Sequence, residues 1–591
     1  MASSTQTFAQ ARPYGWACLL LALALALAAG RARADASGGL TTSDPAYQDP
    51  AGLDVASGIN SQALGSGSTA SGANASAGPL SSTATGYNSQ ATGPGATASG
   101  ANSIASAWAS TASGLGSSAT WVSSTATGAF SNAAGPGATV YGVSSTAGGG
   151  STALGFKSVA NNGSTAVGNG AAASVFDSTA IGDDSVVSGT DATAVGGFTQ
   201  ASGSSSLAAG SYSLASGANA VALGSSSHAT NFNTVAVGQG AQATAGGAAA
   251  LGDGSVATGS NSLAVGSSSQ ATGSMSAAGG AGSHANADAS SAWGGMSQAQ
   301  AVDSSALGYA ATASALSATA LGANSAASGI QSMALGTGSQ STVLDSVAVG
   351  YGSVSTGLSG TALGAFSQAT GSFSLAEGSY SNANNQNATA VGAVSFANGP
   401  DATAIGAGSR AVAGGVALGF NANVSAASGT AVGTGSTVNA VNGVAVGEGS
   451  SALAGNSVAL GANSTATRAN TVSMGDASTG LTRQITNVAP GTARSDAATV
   501  GQLKDAIQGQ SQQSQSYARG IGALSSAATS AAVTAAGLPG HSKVALGVGS
   551  CGDQAAMGLA YAQSFGNWGA TINGAYSGTS TQVGAGAGFS W

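Results

Sequence analysis

The sequence predicts a mostly β chain in three parts: a parallel β-solenoid of fourteen-residue coils, one long helix, and four membrane-crossing strands. Three observations carry that reading. Glycine recurs every fourteen residues, with a few thirteen-residue steps, from Gly58 to Gly475. A heptad-like spacing, alternating steps of four and three, then runs from Leu503 to Ala535. From Lys543 onward, four stretches alternate large apolar with very small residues, each near the ~9–11 residues a tilted membrane strand requires.

Composition narrows the function classes. Of 591 residues 96 are Gly, while charged and aromatic residues make up 5% each. An ordinary soluble protein is about 25% charged, and so few large side chains cannot fill several thick cores. Arg12, Arg31 and Arg33 precede residue 35, which leaves 8 basic against 19 acidic groups, net −11, in the rest of the chain. Such a surface repels phosphate backbones, so nucleic acid is excluded as a partner. Cys18 falls in the leader, and Cys551 is left alone with no role that the sequence assigns.

Residues 1–34 read as a secretory signal peptide. Arg12 supplies the positive start, Trp16 to Ala29 the apolar run, and Ala32-Arg33-Ala34 the small-x-small cleavage pattern. The run is shorter than a spanning helix, so the chain is expected to leave the cytoplasm. A linker is expected over 35–57.

The repeat over 58–475 has the form x-x-[ST]-x-A-[VLI]-G-x-x-S-x-A-[ST]-G, as in Asn261-Ser-Leu-Ala-Val-Gly-Ser-Ser-Ser-Gln-Ala-Thr-Gly273. Two short alternating stretches, each ended by a Gly able to make a tight corner, describe one solenoid coil. One coil cannot stand alone. Ordering its backbone costs roughly 14–28 kcal/mol, and its single Val, Leu or Ile returns only ~1.5–3. Stacked coils share ladder hydrogen bonds and a continuous Ala/Val core.

The repeat resembles the head of the YadA-like trimeric autotransporter adhesins, whose head motif N-S-V-A-I-G-x-x-S is matched by Asn456-Ser-Val-Ala-Leu-Gly-Ala-Asn-Ser464 and by Asn261 to Ser269. The resemblance implies a left-handed parallel β-roll with three chains around one axis, a homotrimer.

The neck is expected over 476–502. Leu481-Thr-Arg-Gln-Ile-Thr-Asn-Val-Ala-Pro-Gly491 and Ser495-Asp-Ala-Ala-Thr-Val-Gly-Gln-Leu503 resemble the family neck, R-Q-[IL]-T-N-V-A-x-G followed by D-A-V-N-V-x-Q-L, which marks Arg483, Gln484, Asn487 and Asp496. Ser495 or Asp496 is the expected N-cap of the next helix. The stalk and lumen helix, 503–540, carries its seam on Ile507, Gln510, Ser514, Tyr517, Ile521, Leu524, Ala528, Ala531 and Ala535 and stops at Leu538-Pro539-Gly540.

Anchor strands fill 541–591. Val544, Leu546, Val548, Met557, Leu559, Tyr561, Ile572, Tyr576, Val583, Phe589 and Trp591 share one face, and small residues including Gly547, Gly558 and Gly586 share the other. Four strands cannot close a barrel, and an open edge in lipid leaves backbone groups unpaired, so two or three chains must combine. The bare inner face leaves room for helices of ~10 Å diameter in the lumen. The resemblance to the family anchor implies three chains and a 12-stranded transmembrane β-barrel assembled by the outer membrane's barrel-assembly machinery.

No catalytic constellation is legible, and neither cofactor nor metal site is expected: the three His residues, His228, His284 and His541, cannot make a zinc triad or a nucleophile–base pair. The expected function is a non-enzymatic adhesin on the cell outer membrane and surface. It would bind host extracellular matrix such as collagen, or host cells, through many weak contacts, and mediate autoaggregation. By resemblance, Asn261, Ser262, Asn456 and Ser457 are the candidate ligand-binding residues. A surface coat or aggregation fibre without a host receptor is the alternative.

Overall fold

The computed structural model describes residues 54–591. The signal peptide expected over 1–34 and nearly all of the linker expected over 35–57 lie outside the described residues. The chain divides into two compact units, one ending at Thr482 and the other spanning Arg483–Trp591.

The first unit is the solenoid. Each coil contributes a three-residue strand to one parallel sheet, which has 31 strands, and a two-residue strand to a second parallel sheet. At roughly 4.8 Å per strand the head is on the order of 140 Å long. Neither ladder closes on itself: the second runs from Gln62–Ala63, paired only to Ser76–Ala77, to Thr465–Ala466, paired only to Ser451–Ala452. Partners are fourteen residues apart, as in Thr69↔Thr83, and thirteen apart at Thr139↔Thr152↔Thr165 and Thr403↔Val416. The lost residue comes from the corner before the long strand, where Gly150, Gly163 and Gly414 take left-handed φ values of 67°, 79° and 60°.

The interior corrects one expectation. It is an alanine core, with Ala70, Ala84, Ala98 and their successors fully buried, whereas the Val, Leu or Ile of each repeat points outward. Strand alternation is the reason: in Thr179-Ala180-Ile181 the central Ala faces inward, which turns both neighbours out, and Ile181 is 40% exposed. The repeating Ser is also buried. Ser89 Oγ donates to Gly86 O at 2.9 Å and Ser103 Oγ to Gly100 O at 2.8 Å, so the hydroxyl closes each corner from within. The repeating Gly satisfies two demands at once. At Gly86 φ is +126°, and a Cβ there would stand 2.7 Å from the carbonyl carbon of Gly100 in the next coil.

The second unit holds helix α1 (Val500–Gly537) and one antiparallel sheet of four strands in sequence order, Ser542–Cys551, Gln554–Phe565, Trp568–Tyr576 and Thr581–Phe589. The helix begins three residues before the expected stalk boundary. Its N-cap is Thr499 and not Ser495 or Asp496: Gln502 N–H donates to Thr499 Oγ1 at 3.1 Å, and Thr499 N–H donates to Gln502 Oε1 at 3.0 Å. The residue before Pro539 is extended, which ends the helix.

Candidate functional site

Two surfaces matter, the flank of the solenoid and the anchor. On the flank, the short-strand sheet turns one polar-rich row outward, including Gln242, Gln270, His284 and Gln298. His284 lies in register between Gln270 and Gln298, and His228 between Leu214 and Gln242, four coils away. Corners carry carboxamide ladders: Asn442 Nδ2 donates to Asn456 Oδ1, and Asn456 Nδ2 to Asn470 Oδ1, both at 3.1 Å. These Asn residues have φ near +56°, a conformation Asn tolerates better than most side chains.

The candidate ligand residues therefore separate. Asn261 and Asn456 are exposed at corners with φ values of 55° and 56°. Ser262 and Ser457 lie inside the coil at 1% and 0% exposure, out of reach of anything on the flank. Ser457 Oγ donates to Ala454 O at 2.6 Å, while Ser262 Oγ has no hydrogen-bond partner.

Sequence reasoning missed the exposed aromatic columns. Phe198 and Tyr212 stack at 5.0 Å between ring centroids, and Tyr351, Phe366 and Tyr380 form a second run with 5.0 Å steps. The signal was available: Phe198, Tyr212, Phe366 and Tyr380 all stand two residues past a column glycine. Among the described residues no group of three or more His, Cys, Asp or Glu is arranged to hold a metal.

The neck residues are solvent-exposed. Asp496 accepts from the N–H groups of Ala493 and Thr492, each at 2.8 Å, and these bonds hold its carboxyl below the usual carboxylate range. Gln502 ties the neck to the helix start. Its Oε1 accepts from Gly491 N–H at 2.9 Å, and its Nε2 donates to Gly491 O at 2.8 Å.

In the anchor, the sheet packs its small-residue face onto Ala523, Leu524, Ala527, Ala528, Ala531 and Ala535 of α1. Gly547 and Gly558 face each other across the first strand pair and lie directly against the helix backbone. Gly586 sits opposite Thr571 on the last strand, where the chain's own helix does not reach it: a Cβ there would meet only Thr571 Oγ1, at 3.4 Å. Asn573 reaches inward, and its Nδ2 donates to Ala528 O at 3.1 Å. The opposite face is bare, with Leu546 and Val548 each 75% exposed, and Trp568 packs on Phe589 at 5.0 Å. Both outer edges of the sheet are unpaired. The N-terminal part of the expected helix seam, Leu503, Ile507, Tyr517 and Ile521, is likewise exposed in the single chain. No described helix is long and apolar enough to cross a membrane.

The YadA head domain repeat matches residues 55–77, 80–106, 176–199, 201–227, 229–255, 299–325, 327–353, 355–381, 383–409, 439–464 and 454–478. The coiled stalk of trimeric autotransporter adhesin matches 484–526, and the YadA-like membrane anchor domain matches 534–591. No curated protein matches. Among solved structures, the collagen-binding domain of the Yersinia adhesin YadA is 31% identical over 35% of this chain and 84% of that chain, with a TM-score of 0.17. Head repeats built on buried Ala, a capped stalk helix and a four-stranded sheet with open edges follow one another in the order of those models, and the chain belongs to the YadA-like trimeric autotransporter adhesins.

Proposed function

We propose that this surface adhesin attaches its cell to host extracellular matrix or host cells, and its cells to one another, through the flank of the solenoid. The observation that carries the reading is the repetition of equivalent polar side chains on successive coils. A corner amide such as Asn456 is repeated by Asn442 and Asn470 one coil away on either side, and the Gln/His row recurs along the opposite sheet. A single contact of this kind is weak, and many in a row on three chains raise avidity by orders of magnitude. Residues 35–467 hold 15 acidic groups against Lys157 and Arg410, which favours neutral or basic partners and a salt-sensitive on-rate. In this reading the signal peptide exports the chain across the inner membrane, the barrel-assembly machinery inserts the anchor, and the anchor exports and then holds the head.

The test displays the full chain on a non-adherent bacterium and measures binding to immobilised collagen, fibronectin and laminin beside sedimentation of the cells. Saturable binding to a matrix protein supports the reading. Clumping without matrix binding favours the receptor-free aggregation fibre, and neither response refutes both.

A further inference from the structure

Over residues 158–467 Arg410 is the sole Lys or Arg, in a stretch whose other charges are carboxylates. It takes the outward position of the short strand Arg410–Ala411 and is exposed. Among the described residues its guanidinium has neither a carboxylate nor a hydrogen-bond partner. It rests instead on the ring of Phe396, its register partner in the preceding coil, 4.9 Å from the centroid. The outward row of the short-strand sheet holds no carboxylate on any described coil from Gln62 to Thr465. Asp401, the carboxylate nearest along the chain, sits on a corner and accepts from Asn387 Nδ2 at 2.9 Å. Nothing within the chain uses the charge of Arg410.

The coils that lead up to Arg410 are rich in carboxamides. Gln368 and Asn382 precede Phe396 in the same row, and Asn382 Nδ2 donates to Gln368 Oε1 at 3.3 Å. Two residues further along its coil, Asn384 Oδ1 accepts from Thr370 Oγ1 at 3.1 Å. These bonds orient the amides and leave Gln368 Nε2 and Asn384 Nδ2 unengaged. On the corner that enters these strands, Phe366 and Tyr380 stack at 5.0 Å, with Tyr380 56% exposed.

Each group selects for one part of a ligand. The guanidinium fork matches a carboxylate bidentately, and a fork already resting on a ring has less freedom to lose. A carboxamide offers donor and acceptor side by side, which suits the neighbouring hydroxyls of a sugar. Exposed rings supply apolar surface for the C–H face of the same sugar. We propose that the face around Phe396 and Arg410 is a discrete site for a glycan that ends in a sugar with one carboxylate, a sialic or a uronic acid. A polyanion is repelled by the acidic head, whereas a single carboxylate on Arg410 lies well inside the ~8 Å over which salt screens the more distant charges. The site rests on the reading of the flank as the adhesive face, and three chains present it in three copies.

The test displays the full chain on a non-adherent bacterium and measures capture of the cells by polymers bearing sialyllactose, a glucuronate-terminated disaccharide, lactose or heparin. Capture by one acidic sugar at least tenfold above lactose is expected, and the polymer that binds names the acid. Arg410→Gln should bring capture down to the lactose level, and Arg410→Lys should restore only part of it, because an ammonium lacks the fork. Head on the surface is measured with an antibody, and capture is compared at equal display. Failure of both acidic polymers to exceed lactose overturns the site, as does undiminished capture of Arg410→Gln or a preference for heparin over both. Collagen binding and clumping are measured on the same cells. In Arg410→Gln both should match the parent chain, and their loss along with glycan capture overturns a discrete site. A parent chain that binds collagen or clumps but ignores both acidic sugars sinks this site alone and leaves the adhesive flank standing.

Discussion

Replacing Gly558 with Ala adds one methyl group where the anchor sheet meets its helix. Its Cβ would stand 2.5 Å from Ala527 O, 2.7 Å from Ala527 C and 3.1 Å from Ala528 N. Ordinary contact begins near 3.4 Å, so sheet and helix must part by about 0.9 Å. The helix backbone cannot yield locally, because Gly547 and Gly549 press on Ala527 and Ala531 from the same sheet. Gly558 does not have a positive φ, so backbone strain plays no part, and loss of glycine's unfolded-state freedom should favour the variant by about 0.4–1 kcal/mol. Overpacking of this kind costs ~1–3 kcal/mol, so the net is roughly 1–2 kcal/mol per chain, felt three times in a trimer. The assay is the temperature at which the detergent-extracted trimer dissociates on a gel, beside the amount of head displayed on cells. Both should fall for Gly558→Ala and collapse for Gly558→Phe. Gly586→Ala is the control, since its methyl group reaches only Thr571 Oγ1 at 3.4 Å, and it should change little. A wild-type dissociation temperature for Gly558→Ala would refute the packing argument.

Deleting Ser260 to Ala287, two coils in register, should leave the head folded by circular dichroism and weaken adhesion only modestly, whereas deleting seven residues should unfold the stack, because it sets three-residue strands against two-residue ones. Ser262→Ala removes a buried hydroxyl that has no partner and should be neutral or slightly stabilising in thermal melts, while Ser457→Ala loses the bond to Ala454 O and should cost ~0.5–1.5 kcal/mol. Thr499→Ala should cost the helix start about 1 kcal/mol, read as faster amide exchange over its first turn. The carboxyl of Asp496 is lowered in the folded chain, so its contribution to the neck turn is present above the ordinary carboxylate value and is lost as pH falls through the lowered folded value. Protection of the Thr492 and Ala493 amides should follow that course, and Asp496→Asn should remove it at neutral pH.

The sequence by itself determined the architecture, because a fourteen-residue glycine register and strand alternation are local constraints that hold in any partner context. The exposed anchor face, from Leu546 to Val583, and the placement of Gly547 and Gly558 against a helix were legible for the same reason: a small residue on the alternate face has few other uses. What lay inside the coil was decided only by tertiary structure. Val265 and Ser262 read as core and ligand contact, yet the coil is so narrow that Ala and Ser fill it and the large aliphatics turn out. The N-cap moved from Ser495 or Asp496 to Thr499 because Gln502 can reach both the helix start and Gly491 across the fold. The threonine row from Thr69 to Thr193 stays unbroken through the thirteen-residue steps, because pairing keeps Thr139, Thr152 and Thr165 in one column. Column membership is set by backbone hydrogen bonds between coils, and a count along the chain loses that register wherever a corner gives up a residue.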